Sequence, residues 1–232
     1  MKAILFDDFE IEIDPRIWDI GPSWKKGRAK DAYLIKFLHK RLRGLKNPIV
    51  LDIGACAGAF SLLAKFHPTA FFFAYEPNPK AFEFLLENVR LNDLEMRVGT
   101  MPFALSNKDG QATLLVPPQQ NRAGSSTIGP HPHSDIWNKV TVQTRRLDGF
   151  SWPDGIDVIK LDAEGAELLV LKGGRRTIKK YKPKILMEYF EPNTRRFGYK
   201  PDDLKELLKS WGYNKFYPVE GEGKCHDIWA TT

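Results

Sequence analysis

A mostly parallel α/β sheet covered by helices on both faces is the fold class this sequence predicts, on three observations. Short apolar, β-branched runs alternate with segments at helical spacing, the pattern of strand–helix–strand units. The run Ile49 to Ile53 breaks at Gly54 and Gly58 and continues into Phe60-Ser61-Leu62-Leu63-Ala64-Lys65-Phe66, a strand, glycine turn and helix in succession. Acids recur at or just after the carboxyl ends of the expected strands: Asp52, Glu76, Asp162, Glu164, Glu188 and Glu191. In open parallel sheets that rim is where ligands bind.

Residues 1–45 read as an N-terminal extension and helix covering the pocket, and 46–232 as one ligand-binding domain with a lid insertion at about 107–148. Residues 4–6 and 9–13 suit a hairpin around Asp7-Asp8. Trp18 and Trp24, beside Lys25-Lys26-Gly27-Arg28, either cap the pocket or pack on the core. Asp31 can cap a helix to about Arg43, with Leu34, Leu38 and Leu42 on one face and Gly44 as its stop. A strand follows at 70–75. Asn78-Pro79 then starts a helix whose buried stripe is expected at Phe82, Leu85, Leu86 and Val89. A third strand lies near 96–98, and residues 100–105 should pass under the base of a bound nucleoside.

Beyond Lys108-Asp109-Gly110, a turn signal, residues 111–116 and 140–144 read as strands. The loop between them, 117–138, is long for a compact domain and is read as an active-site lid. The fourth core strand, 156–162, opens with Asp157 as a strand-start residue, and a helix runs from Ala166 to about Lys172. The fifth core strand is 184–189. The last helix, 201–211, carries Leu204, Leu207, Leu208 and Trp211 on one face and stops at Gly212. Residues 215–219 and 227–230 would close the sheet as an antiparallel edge.

The loop spacing, Asp52-x-Gly54-x-x-x-Gly58, departs from the dinucleotide pattern Gly-x-Gly-x-x-Gly. Cys56 stands where the glycine that admits a pyrophosphate would be. Glu76, at the end of the next strand, can accept from both hydroxyls of a ribose. Asp52 inside the loop suits a ligand carrying an ammonium and no phosphate. Together these favour S-adenosylmethionine (SAM) over NAD.

The chain has 232 residues and a net charge of +6, which permits an acidic or nucleic-acid substrate without demanding one. Its two cysteines, Cys56 and Cys225, have no zinc spacing and make no disulfide framework, which suits a reducing cytoplasm. Residues 1–13 lack the features of a signal peptide, and no apolar run nears the ~18 residues of a membrane span. Methyl transfer from a sulfonium is an in-line displacement that mainly needs the acceptor held close. A hydroxyl acceptor gains from a base, for which Asp162, Glu188, His131 and His133 are candidates, although each histidine also reads as a solvated loop residue and Glu164 equally as a helix cap. Two or three of the carboxylates could hold Mg²⁺, but no spacing makes a metal specific.

Several blocks then point to a family. Val50-Leu51-Asp52-Ile53-Gly54-Ala55, Tyr75-Glu76-Pro77-Asn78, Ala104 to Gly110, Arg146-Leu147-Asp148, Ile156 to Glu167, and Leu171-Lys172-Gly173-Gly174 resemble the FkbM family of SAM-dependent methyltransferases over about residues 48–190. The most specific block is Lys160-Leu161-Asp162-Ala163-Glu164-Gly165-Ala166-Glu167. The resemblance implies a seven-stranded class I methyltransferase (Rossmann-like) fold, SAM as cofactor, and O-methylation of a saccharide or small secondary metabolite. Carried over, Asp52, Gly54 and Gly58 line the methionine end, Glu76 the ribose and Ala104 the adenine side. Ala55, Cys56, Phe60, Pro77, Asn78, Phe103 and Asp162 complete the expected cofactor-binding set. Asp162 and Glu164 face the methyl-transfer centre and, with Glu188 and His133, form the expected catalytic set. Ser125 and Ser126 match a small polar pair in the lid. Residues 1–45 and Pro130-His131-Pro132-His133 match no family pattern, so acceptor choice is placed there. The rival readings are an RNA methyltransferase and a non-catalytic SAM-binding or partner-binding module. The positive charge supports the former; the lack of a separate RNA-binding module and of an Asn/Asp-Pro-Pro-aromatic block after the fourth core strand opposes it.

Overall fold

The computed structural model describes residues 1–16, 29, 31–118, 126–132, 134–219 and 227–232. Trp18, Trp24, the basic cluster 25–28, Ser125, His133 and Cys225 lie outside the described residues.

The sheet is built outward from β3 (Ile49–Ile53). On one side lie β4 (Phe71–Tyr75) and β5 (Val98–Met101), both parallel to it. On the other lie β9 (Val158–Leu161) and β10 (Lys184–Glu188), parallel to it, then β12 (Asp227–Thr231), antiparallel to β10, and at the edge β11 (Lys215–Pro218), antiparallel to β12 and so running with β3. The order β11-β12-β10-β9-β3-β4-β5 gives a seven-stranded sheet among the described residues; the last two strands close it as expected, but only β12 runs against the rest, and the edge strand β11 does not. The chain leaves β3 towards β5 and later returns to β9 on the other side. That reversal opens a crevice above the carboxyl ends of β3 and β9.

Alternate residues of each strand serve opposite faces, which is why the strands read as continuous apolar runs. Val50, Phe72, Val158, Leu186 and Trp229 share a core with the hairpin β1 (Lys2–Phe6) and β2 (Phe9–Glu12), with α1 (Ala32–Leu42) and with α2 (Pro79–Leu91). Leu51, Ile53, Ile159, Leu161 and Ile185 pack instead with α3 (Glu167–Gly173), α4 (Arg175–Tyr181) and α6 (Pro201–Lys209). The described part of residues 1–45 therefore shares the sheet's own core.

Local signals mostly hold. Asn78 accepts from the Lys80 N–H at 3.0 Å and Pro79 begins α2. α1 buries Leu34, Leu38 and Leu42 as expected, and Ile35 with them, while Asp31 sits at the cap position without a side-chain capping bond. Asp157 accepts from the Ile49 N–H at 2.8 Å, tying β9's start to β3.

Four elements differ. The α2 stripe is Ala81, Phe84, Leu85, Asn88 and Val89, while Leu86 is 46% exposed; polar Asn88 takes a core position because it bonds the Ala57 carbonyl and the Asp14 N–H. The segment after the glycine loop is a short 3₁₀ helix, Ser61–Phe66, because Pro68 forces His67 out of helical conformation before an α-helix can propagate. The third strand starts later, at Val98, with Met96 exposed. An unforeseen helix, α5 (Glu191–Arg196), follows β10; it has a proline in its first turn but no apolar stripe to betray it.

The lid insertion is a small sheet of its own. β7 (Gly110–Val116) and β8 (Asn138–Arg145) form an antiparallel hairpin, and β6 (Ala104–Leu105) runs parallel to β8. Its exit is pinned by Asp148, whose carboxylate accepts the N–H groups of Arg176 and Thr177 at the start of α4.

Candidate active site

The loop after β3 is shaped by protein contacts. Tyr75 offers its carbonyl to the N–H groups of Gly54 and Ala55, both at 3.0 Å. Gly54 has φ +77°, and a Cβ there would stand 1.8 Å from the Asp162 carbonyl oxygen. Gly58, at φ +88°, would drive a Cβ to 2.7 Å from Leu85. Lacking a Cβ at these two positions, the loop can pass against β9's exit and seat on α2. Cys56 also adopts a left-handed φ and donates its N–H to Glu76 at 2.8 Å. Burial pushes its thiol up to about 12, so it stays protonated.

Beneath this loop lies a buried ion pair. Lys160, in the middle of apolar β9, and Asp52 of β3 are register partners on one face. The ammonium donates to the Gly54 carbonyl at 2.7 Å and stands 3.4 Å from Asp52 and 3.8 Å from Asp162. It also lies 5.0 Å from the ring centre of Phe60. Burial opposes the charged lysine, but Asp52, Asp162 and Asp31 outweigh it and raise its pKa. Asp52 takes a further bond from Ser61 Oγ at 2.7 Å and is fully buried. The ammonium it meets is therefore the protein's own, which corrects its expected place beside a ligand's ammonium. A lysine inside an apolar strand was the available signal, since a buried cation requires an anion.

Glu76 is buried at the end of β4. Its two oxygens accept from the Cys56 N–H at 2.8 Å and the Asn78 N–H at 2.7 Å. Burial raises it to about 7 against those bonds. Each carboxylate oxygen retains a second lone pair, so the group can still accept from a ligand. Pro77 links it to Asn78, whose amide donates to Ser126 Oγ at 3.0 Å. Thr127 bridges to Leu115 and donates to the Glu164 carbonyl at 3.1 Å. The returning arm of the lid loop thus spans from α2's cap to the turn after β9. Phe103 packs edge-on to Tyr75 and parallel to Phe150, and Ala104 is buried beside it. His131 stacks on Trp137 within the lid loop.

Acids crowd the other end of the rim. The carboxylate oxygens of Asp162, Glu167 and Glu188 lie within 4.8 Å of one another. The Asn193 amide donates to Glu188 at 2.8 Å and Glu164 at 3.0 Å, and Arg196 donates to Asn193 Oδ1 at 2.8 Å. Glu167 accepts from the Ala163 N–H at 2.7 Å, and Tyr199 Oη is 3.1 Å from its other oxygen. Burial raises Glu188 far above the ordinary carboxylate range, and Asp162, Glu167 and Glu164 reinforce the shift. Glu167 is raised as well, chiefly by burial. The sharp turn Glu164-Gly165 brings this about: Glu164 has φ +52°, and a Cβ on Gly165 would meet the Asn193 carbonyl at 2.6 Å. Asp162, Glu167 and Glu188 could each offer one oxygen to a cation, while Glu167 already accepts two backbone N–H groups and Glu188 the Asn193 amide.

The rim thus gathers Asp162, Glu164 and Glu188 at one end and the Gly54–Gly58 loop with Glu76 at the other. Sequence reasoning missed Lys160, Asn193 and Arg196; the last two sit on α5, whose polar sequence carries no periodic signal. Among the described residues no helix is long and apolar enough to cross a membrane.

Comparison with known proteins adds the family. The family model for the methyltransferase FkbM domain matches residues 52–215. The chain is 31% identical over 199 residues to methyltransferase sdnD of Sordaria araneosa, covering 72% of this chain and 74% of that one. It is 30% identical over 173 residues to 2-O-methyltransferase NoeI of Sinorhizobium fredii, covering 68% and 71%. Its fold is similar to the crystal structure of methyltransferase FkbM from Methylobacillus flagellatus, with a TM-score of 0.55 and 18% identity, covering 83% of this chain and 45% of that one.

Proposed function

The chain belongs to the methyltransferase FkbM family, and on that premise we propose that it O-methylates a hydroxyl of a saccharide or small secondary metabolite. The family implies SAM as methyl donor, and the relative NoeI is named for 2-O-methylation. The residues present fit SAM: Glu76, held by two N–H groups and with lone pairs remaining, suits a ribose diol. In this reading the Gly54–Gly58 loop runs along the methionine end, and Phe103 and Ala104 flank the base. Bound SAM supplies a methyl group already activated on a sulfonium.

The observation that carries hydroxyl chemistry is the acid-rich end of the rim. Carboxyl groups there can exchange hydrogen bonds with a polyhydroxylated acceptor, and one that stays ionised can take its proton. Lys160 holds Asp162 in place from below, and Asn193 fixes Glu164 and Glu188 relative to each other. The described lid strap, Ser126–Thr127, supports closure over the site by bonding both Asn78 and Glu164. The thiol of Cys56 suits a reducing cytoplasm, where we place the enzyme.

The test is a turnover screen with SAM against glycans, small hydroxylated metabolites and RNA, read by formation of the demethylated cofactor. Transfer to a hydroxyl is expected. Transfer confined to a nitrogen of RNA would replace this reading with nucleic-acid methylation, and tight SAM binding with no transfer to any class would favour a binding module.

A further inference from the structure

The chain's positive charge is concentrated in one place. The stretch from Lys172 to Lys184 holds seven lysines and arginines and no acidic residue. Without those seven, the chain's 35 basic residues fall to 28, against 29 acids. One short segment therefore carries the whole excess.

The fold turns that segment outward. α4 buries Thr177 and Ile178 and exposes Arg175, Arg176, Lys179 and Lys180. Those positions, at i, i+1, i+4 and i+5, share one face of a helix. Lys172, in the last turn of α3, and Lys184, the first residue of β10, are exposed at its two ends. Of these six side chains only Arg176 pairs with a carboxylate among the described residues, that of Asp148. Asp148 also accepts the N–H groups of Arg176 and Thr177, so the first turn of α4 already has its anion and the charge of the face is that of its side chains. Lys180 lies over the ring of Tyr181 and donates to its hydroxyl at 2.8 Å, neutral contacts that leave its charge uncompensated. Lys182, the seventh cation, is drawn inward onto the Trp211 carbonyl. Like charges at this spacing repel one another and give nothing to the fold.

We propose that the outer face of α4 docks the protein on an anionic phospholipid surface. The inference does not depend on which acceptor is methylated. The array suits a surface more than a strand of nucleic acid. Lys184 pairs with Val158, the first residue of β9, so the cations end at the amino-terminal edge of the sheet, opposite the rim. A polynucleotide substrate needs phosphate contacts that lead to the reacting site and rings on which its bases stack. The ring on α4, Tyr181, lies under Lys180 and spends its hydroxyl on the Trp152 carbonyl at 2.6 Å. Four of the six exposed cations are lysines, compact charges on flexible stems, which suit a diffuse field of headgroups. α4 exposes no aliphatic side chain, so the contact is electrostatic, peripheral and reversed by salt, and it requires no spanning helix.

The experiment is cosedimentation of the full chain with phosphatidylcholine vesicles, with and without about 30% phosphatidylserine, at an ionic strength of about 0.15 M. Binding is expected with phosphatidylserine only, and loss of it in high salt. Each cation at an anionic leaflet adds about fivefold to partitioning. The patch variant Lys172→Gln, Arg175→Gln, Lys179→Gln, Lys180→Gln should therefore bind on the order of 10²-fold or more weakly. A variant of equal net charge, Lys40→Gln, Lys46→Gln, Lys139→Gln, Lys215→Gln, should stay within about threefold of wild type. Acetylation footprinting of the wild-type chain gives a reading that no variant's folding can spoil: phosphatidylserine vesicles should protect Lys179 and Lys184 and leave Lys139 reactive. Equal binding to neutral vesicles, no binding to charged ones, equal losses in the two variants, or protection away from α4 overturns the proposal. Binding of poly(U) RNA that the patch variant loses, with no vesicle binding by wild type, overturns it in favour of a nucleic-acid surface.

Discussion

At the β3–β4 end of the rim each carboxylate has specific partners: Glu76 accepts from the N–H groups of Cys56 and Asn78, and Asp52 accepts from Ser61 and faces the Lys160 ammonium at 3.4 Å. At the β9–β10 end, Glu164 and Glu188 share the amide of Asn193 while Asp162 and Glu167 stand beside them. At the first end Asp52 is paired with an ammonium and Glu76 is tied by two backbone N–H groups, so this end holds one geometry. The second is a crowd of like charges in low dielectric, which raises proton affinity and keeps some carboxyls neutral. In the reading proposed above, the first end seats the methyl donor and the second receives the acceptor's proton.

If the first end relies on its ion pair, Lys160→Met should have the largest effect on stability. It strands Asp52 as a buried, unpaired charge, which typically costs about 3–5 kcal/mol. Urea unfolding checks this, and a loss below about 1 kcal/mol would mean that Asp52 is stabilised by Ser61 alone.

The next effect is on binding. Glu76→Ala should weaken SAM by about 2–3 kcal/mol, roughly 30- to 150-fold, as charge-assisted bonds to a ribose are lost. Unaltered affinity in a titration would move the ribose elsewhere on the rim.

The smallest effect should come from the acid-rich end. Glu188→Gln keeps the Asn193 contact and removes a titrating group, so stability at neutral pH should stay within about 1 kcal/mol of wild type or rise. The folded pKa of Glu188 is raised. Its contribution is therefore fully present below the unfolded value of about 4.3 and is lost as pH rises towards the folded value. Urea midpoints at several pH values from about 5 to 9 should diverge in favour of Glu188→Gln as pH increases. Parallel curves would contradict the like-charge picture.

What could be read from the chain alone follows the same division. The glycine loop, Glu76 and the Asn78-Pro79 helix start are contiguous signals whose chemistry is local, so their places on the rim were legible, whereas Asp52 lies buried beneath it against Lys160. The carboxyl-end rule put Asp162, Glu164 and Glu188 on the same rim, because strand ends can be read from apolar runs. Their mutual arrangement could not be read. Asn193 comes from a helix with no apolar periodicity, and its role exists only because Gly165 admits α5 to within 2.6 Å of where a Cβ would be. Lys160 had no assigned role in the sequence, and only the register sets it beside Asp52.

The sequence by itself determined the sheet and its two covered faces, because periodicity, glycines and caps act over a few residues. Only the tertiary structure decided which charges are paired and which are crowded. That depends on strand register and on the close approach of segments more than a hundred residues apart, such as Asp52 and Lys160 or Tyr33 and Asp227.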